Sequence, residues 1–253
     1  MHKIHLSFLA LLLVILSFSQ HALSADSTAL ANAVVSAPDR SPEDRALDAG
    51  RKPAELLVFL GVQPGWRIAD LGAGGGYTAE LLKRAVGSDG VVYGQNSPMV
   101  LQRFAEKSWS ARVAKPVMKG VVRLDRDFED PFPAAVAPLD AVTFVLFYHD
   151  TVWLGVNRDA MNKAVFAALK PGGVYVIVDH SARPGDGTKV TDTFHRIEEG
   201  AVKAEVLAAG FVLDGEADFL RNPDDTRDWN DSPRAAGERR GASDRFVLRF
   251  RKP

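Results

Sequence analysis

Apolar and polar residues alternate along most of this chain in blocks of strand length and helix length. Trp66 to Leu71 is a short apolar run that predicts a strand, and Tyr77 to Val86 has the spacing of an amphipathic helix. The pattern then recurs. Strands are predicted at Val91 to Gly94, Val117 to Leu124, Ala141 to Phe147 and Val174 to Val178. Helices are predicted from Ser97-Pro98 to about Lys107, over Arg158 to Leu169, and from about Phe194 with Ile197, Ala201, Ala204 and Ala208 on one face. Ala141 to Phe147 is apolar on both faces, as a central parallel strand must be. Two final strands, Phe211 to Phe219 and Arg245 to Phe250, flank a polar excursion from Arg221 to Asp244, too long for a simple hairpin connection. Strands alternating with helices predict an α/β fold, with a mostly parallel sheet, helices on both faces, and an antiparallel edge from the terminal strand pair.

Upstream, Ser41-Pro42-Glu43-Asp44 reads as a helix start, and a second short helix is expected over Pro53 to Leu60. The first residues are of another kind. Lys3 precedes an uncharged apolar run from Leu6 to Phe18, followed by small and polar residues to Ala25. This is the grammar of a secretory signal peptide, and the run falls short of the roughly 20 residues a spanning helix needs. Residues 1–25 are therefore read as a cleaved signal, 26–40 as a flexible segment, and 41–253 as a single domain. An exported protein, periplasmic or secreted, with no stable membrane insertion after processing, is the expectation. Cysteine is absent, so neither a lipoprotein acylation site nor a disulfide framework exists.

Charge changes the picture only by exclusion. With 31 basic against 32 acidic residues, the chain has no net basic character to draw a nucleic-acid partner. A small-molecule substrate is expected, and the sequence leaves the oligomeric state open.

The chemistry-bearing stretch is Ala69-Asp70-Leu71-Gly72-Ala73-Gly74-Gly75-Gly76-Tyr77, a glycine turn between the first strand and its helix. Such a turn faces the ligand crevice of an open α/β sheet, and the helix amino terminus offers unpaired N–H groups to an anion. A dinucleotide fingerprint from Gly72 would need glycine where Tyr77 stands, and no Gly-Lys-Ser/Thr of a P-loop follows. The register that fits is acidic-x-Gly-x-Gly-x-Gly, at Asp70, Gly72, Gly74 and Gly76. This resembles the first motif of the class I methyltransferases that use S-adenosylmethionine. Leu139-Asp140-Ala141-Val142, Leu169-Lys170-Pro171-Gly172-Gly173 and Ala208-Ala209-Gly210-Phe211 resemble later motifs of that family, in order, over roughly Arg51 to Phe250. Tyr148-His149-Asp150, Asp179-His180-Ser181-Ala182, His195-Arg196-Ile197 and Leu220-Arg221-Asn222-Pro223 resemble a narrower group of bacterial exported proteins described as predicted methyltransferases.

The resemblance implies a Rossmann-like methyltransferase fold with a seven-stranded sheet, S-adenosylmethionine as cofactor, and methyl transfer to an unidentified small acceptor. It places Asp70, Gly72, Ala73, Gly74, Gly76 and Tyr77 around the methionine part, with Asp70 near the ammonium. Asn96 stands where the family has a ribose-binding acid, and Asp125 or Asp127 takes the position near the adenine amino group. The ends of the fourth and fifth strands bring His149, Asp150, Asp179 and His180 to the same crevice. His149 is the expected general base, with Asp150 orienting it and His195 joining from the following helix. Their separation along the chain matches no metal motif, so no metal is expected. The alternative reading is an exported domain of this fold that binds another small ligand, or a metal through His149, Asp150, His180 and His195, without methyl transfer. Ser181 to Thr191 and Arg221 to Asp244 are expected to be loops near the site.

Overall fold

Each apolar run that stops at a turn residue becomes a strand of one sheet in the computed structural model, which describes residues 26–253. β1 (Arg67–Leu71) lies inside it, parallel to β2 (Val91–Asn96) on one side and β4 (Leu139–Val145) on the other. β3 (Val122–Asp125) adds beyond β2, and β5 (Leu169–His180) beyond β4, both in parallel. β7 (Arg245–Arg251) then pairs antiparallel with β5, and β6 (Val212–Ala217) antiparallel with β7. The order is β3-β2-β1-β4-β5-β7-β6. The mostly parallel sheet with antiparallel pairing at one edge is thus as expected; the strand that runs backward is β7, and the solvent-facing β6 is outermost.

The helices pack around this sheet. α1 covers residues 26–36, α2 is Pro42–Arg51 and α3 Pro53–Leu60. α4 (Tyr77–Val86) crosses from β1 to β2 and contacts both. α5 (Pro98–Val100), a π-helical turn at Leu101–Ala105 and α6 (Glu106–Val113) lead toward β3. α7 (Asp150–Trp153) and α8 (Arg158–Ala168) follow β4, while α9 (Thr191–Phe194) and α10 (Glu199–Ala208) follow β5. Ser41 caps α2 as its sequence demands, accepting from the Asp44 N–H with proline at the first helical position. Among the described residues no helix is long and apolar enough to cross a membrane.

Four details depart from the sequence reading. Residues 26–36 are helical rather than flexible, because Ala31 and Val34 share a face and bury it in the core. The linker after α1 is also tied down, Arg84 pairing with Asp39 at 2.7 Å and Arg40 gripping both oxygens of Asp48. The third strand is only four residues long, since Pro116 opens a single tight turn and Gly120, at φ +85°, breaks the run before Val122. The helix expected from Phe194 begins instead at Glu199. His195 takes φ +53°, and Ile197 is extended beside Ser181, donating to the His180 carbonyl and accepting from the Ala182 N–H. The signal peptide read at residues 1–25 lies outside the described residues.

Candidate functional site

The glycine turn is shaped from below by the end of β2. Gln95 accepts from the Gly72 N–H at 2.9 Å through its side chain and from the Ala73 N–H through its backbone. Asn96 accepts from the Gly74 N–H at 2.8 Å and donates back to the Gly74 carbonyl. Asn96 is fully buried, with both its polar groups engaged by Gly74. It therefore fixes the turn, a role that the family position does not imply. The glycines serve packing as well as approach. Trp109 of α6 is seated where a Cβ at Gly76 or Gly94 would lie 2.5 or 2.3 Å from its ring, and Phe144 and Phe147 close on Gly72. Gly74 differs: a Cβ there would meet nothing within 4 Å, and residues 72–75 are partly exposed, leaving this backbone open to a ligand.

Asp70 sits beneath the turn, buried, with Oδ1 accepting from Thr143 at 2.8 Å and Oδ2 without a hydrogen-bond partner. Burial pushes its pKa up to about 7, opposed by the Thr143 hydrogen bond and the positive charge of Arg51. Arg51, the last residue of α2, lies with its guanidinium 4.5 Å from the centre of the Tyr77 ring. Burial lowers its pKa, and its guanidinium has no hydrogen bond or ion pair to a carboxylate among the described residues. The Tyr77 hydroxyl donates to Asp48 at 2.6 Å, so the hydroxyl is engaged away from a ligand. Arg51, Tyr77, Leu146, Val178 and Arg245 line a narrow cleft at the carboxyl ends of β4 and β5, with room for about one water, ≈ 10 Å³. Arg51 was not singled out by the sequence, because nothing in the α2 pattern distinguishes it from a surface helix arginine.

Of the two acids at and after the end of β3, Asp125 is bound to Arg123 through both oxygens, whereas Asp127 is exposed and has no side-chain partner among the described residues.

The histidines meet beyond the carboxyl ends of β4 and β5. After Val145 the chain reverses through Leu146 at φ +57°, held by its N–H on the Val178 carbonyl, and delivers His149 and Asp150. A left-handed leucine is a strained conformation, as is the left-handed His195, and the two strained residues flank one cluster. His149 is buried, its Nδ1 2.7 Å from Asp179 Oδ1 and its backbone N–H 2.7 Å from Asp179 Oδ2. Its Nε2 faces His195 Nδ1 and Asp150 Oδ1, each at 3.2 Å. Trp153 donates to the same Asp150 oxygen at 2.8 Å. Burial works against a charge on His149, but the carboxylates of Asp179 and Asp150 outweigh it and push the pKa up to about 10. Asp150 is held well below the usual carboxylate range, the His149 charge overcoming its own burial. The structure brings His149, Asp150 and His195 together, with Nδ1 of His149 held by Asp179 and Nε2 facing Asp150 and His195. The partly exposed imidazole of the group is His195.

His180 lies edge-on to His149, ring centres 5.5 Å apart, while its Nδ1 faces Ser243 and Asp231 of the polar excursion. Burial lowers its pKa against the pull of Asp231. The excursion is packed rather than loose, since Arg196 and Asp225 form a fully buried ion pair at 2.7 Å. Tyr148, for its part, donates to Glu205 and accepts from Asn162, a core network away from the crevice.

No protein-family model and no curated protein matches the chain. Solved structures do. An S-adenosylmethionine-dependent methyltransferase from Aquifex aeolicus is similar with a TM-score of 0.58 at 17% identity, over 84% of this chain and 94% of that one. The arsenic(III) S-adenosylmethionine methyltransferase of Chlamydomonas reinhardtii is similar with a TM-score of 0.50 at 17% identity, over 76% of this chain and 64% of its own. These likenesses define the fold as the Rossmann-like methyltransferase fold.

Proposed function

We propose that the protein is an S-adenosylmethionine-dependent methyltransferase acting on a small-molecule acceptor, and that it works after export. The observation that carries the reading is Asp70, a buried carboxylate with one unpartnered oxygen directly beneath an accessible glycine turn. Burying an anion without a partner is costly, and a ligand ammonium would offset that cost. Arg51, a cation without a carboxylate, lies across the cleft and would take the carboxylate of the same amino-acid moiety. The open backbone at Gly74 lets that moiety approach, and Asp127 is free for the adenine amino group. The donor set thus fits the methionine and adenine parts, while no charged side chain replaces the ribose acid. When bound, S-adenosylmethionine supplies an electrophilic methyl group on a sulfonium.

The chain's own residues then have to orient the acceptor. His195 and Trp153 reach the surface, so the acceptor is assigned to their side, with Asp179 fixing His149 and Trp153 fixing Asp150. The leader-like pattern of residues 1–25 and the balanced charge support export and a non-nucleic-acid acceptor.

Calorimetric titration with S-adenosylmethionine and S-adenosylhomocysteine tests the reading. Micromolar binding, about −8 kcal/mol, that weakens in Gly74→Val supports it, because valine is strained at φ +55° and blocks the approach. A folded protein that binds neither compound overturns it.

A further inference from the structure

We propose that His149, Asp150 and His195 form a binding site for a divalent first-row transition-metal ion. The inference does not rest on the methyltransferase reading. His149 Nε2, His195 Nδ1 and Asp150 Oδ1 stand at the corners of an equilateral triangle, 3.2 Å on each side. Ligands about 2.1 Å from one ion are separated by about 3.0 Å when octahedral neighbours and about 3.4 Å when tetrahedral, and the observed edge lies between the two. An ion in that position would sit about 1 Å above the plane of the three atoms.

A metal ion would satisfy all three atoms of this triangle at once. Asp179 is an acceptor, so His149 Nδ1 carries a proton and Nε2 is left either with a second proton or with a lone pair aimed at a carboxylate oxygen. Protons on His149 Nε2 and His195 Nδ1, both facing the same Asp150 oxygen, hold the triangle together without an ion, and one cation between the three atoms would take their place.

The surroundings are those a metal centre requires. Asp179 clamps His149 through Nδ1 and through its backbone, which fixes the ring so that Nε2 is the coordinating atom. Trp153 orients the Asp150 oxygen from outside. His195 is positioned by a left-handed backbone, and its partial exposure gives the ion an entry path and leaves coordination positions open on the solvent side. Two imidazoles and one carboxylate favour zinc, iron, cobalt or nickel over magnesium or calcium. The three ligands come from the start of α7, where His149 and Asp150 are adjacent, and from the end of α9, well further along the chain, so their spacing matches no metal motif. Binding releases the protons held among them, and the open positions suit a further ligand with an oxygen or nitrogen donor.

The test uses Co²⁺ alone, added to the metal-free protein without any methyl donor. The expected result is one Co²⁺ per chain with the visible d–d absorption of a nitrogen- and oxygen-ligated ion, lost in His195→Asn and in Asp150→Asn. Asparagine tolerates the left-handed backbone at position 195, so that variant keeps the fold. Asp179→Asn should still bind but about 10- to 100-fold more weakly. Absence of stoichiometric binding, or binding undiminished in a folded His195→Asn variant, overturns the proposal and leaves the methyl-transfer reading standing.

Discussion

His149 and Asp179 are joined twice, ring to Oδ1 and backbone N–H to Oδ2, both at 2.7 Å. The carboxylate at the end of β5 thereby sets both the ring angle of His149 and the path of the chain leaving β4. Replacing it with alanine leaves a buried N–H and a buried ring nitrogen unpaired. Asp179→Ala should cost about 3 kcal/mol or more, read by denaturant unfolding. A loss below about 0.5 kcal/mol would mean the pair does not organise the site.

Asn96 gives a prediction opposite to family intuition. Restoring the usual acid by Asn96→Asp puts a carboxylate oxygen against the Gly74 carbonyl, where the amide now donates. The variant should lose about 1–3 kcal/mol of stability and gain no affinity for S-adenosylmethionine. Tighter binding at unchanged stability would show that position 96 faces the ribose after all.

Trp109 explains two glycines that a ligand-only account would leave idle. Gly94→Ala places a methyl 2.3 Å from the indole and should destabilise by about 3 kcal/mol. Adding Trp109→Leu should give a double variant less destabilised than the sum of the two single changes. Strict additivity would show that the indole is not what requires glycine there.

These cases show where the sequence was readable. Strand and helix order, the glycine register at Asp70 to Gly76, and the convergence of His149, Asp150 and His195 all followed from local pattern plus the rule that strand ends face the crevice. The errors came from tertiary partners that local pattern does not encode. Ile197 has helical spacing with Ala201, yet it is extended because the backbone groups of His180 and Ala182 needed partners. Residues 26–36 looked polar and mobile, yet Ala31 and Val34 suffice to dock them. Asn96 matched a family position while its side chain turned inward.

The excursion from Arg221 to Asp244 is held by the Arg196–Asp225 pair, with neither side chain exposed. Asp225→Asn should leave a buried guanidinium without its counter-charge, costing about 3–5 kcal/mol, and should make the excursion the first site of proteolysis. Unchanged proteolysis would show that the segment is held by other contacts.

The most direct test of the central claim concerns Asp70. Its folded pKa, about 7, lies above the unfolded value of 3.8, so the native state holds the proton more tightly over that window. Stability should therefore fall as pH rises from 3.8 to about 7, by about 4 kcal/mol at most, and level off above. A ligand ammonium binds the ionised form, so affinity for S-adenosylhomocysteine should rise by up to tenfold between about pH 5.5 and about pH 6.5. The same titration on Asp70→Asn should be flat and weaker. A pH-independent affinity in the unaltered protein, equal to that of Asp70→Asn, would contradict the assignment of the glycine turn as the site that holds the amino-acid end of the cofactor.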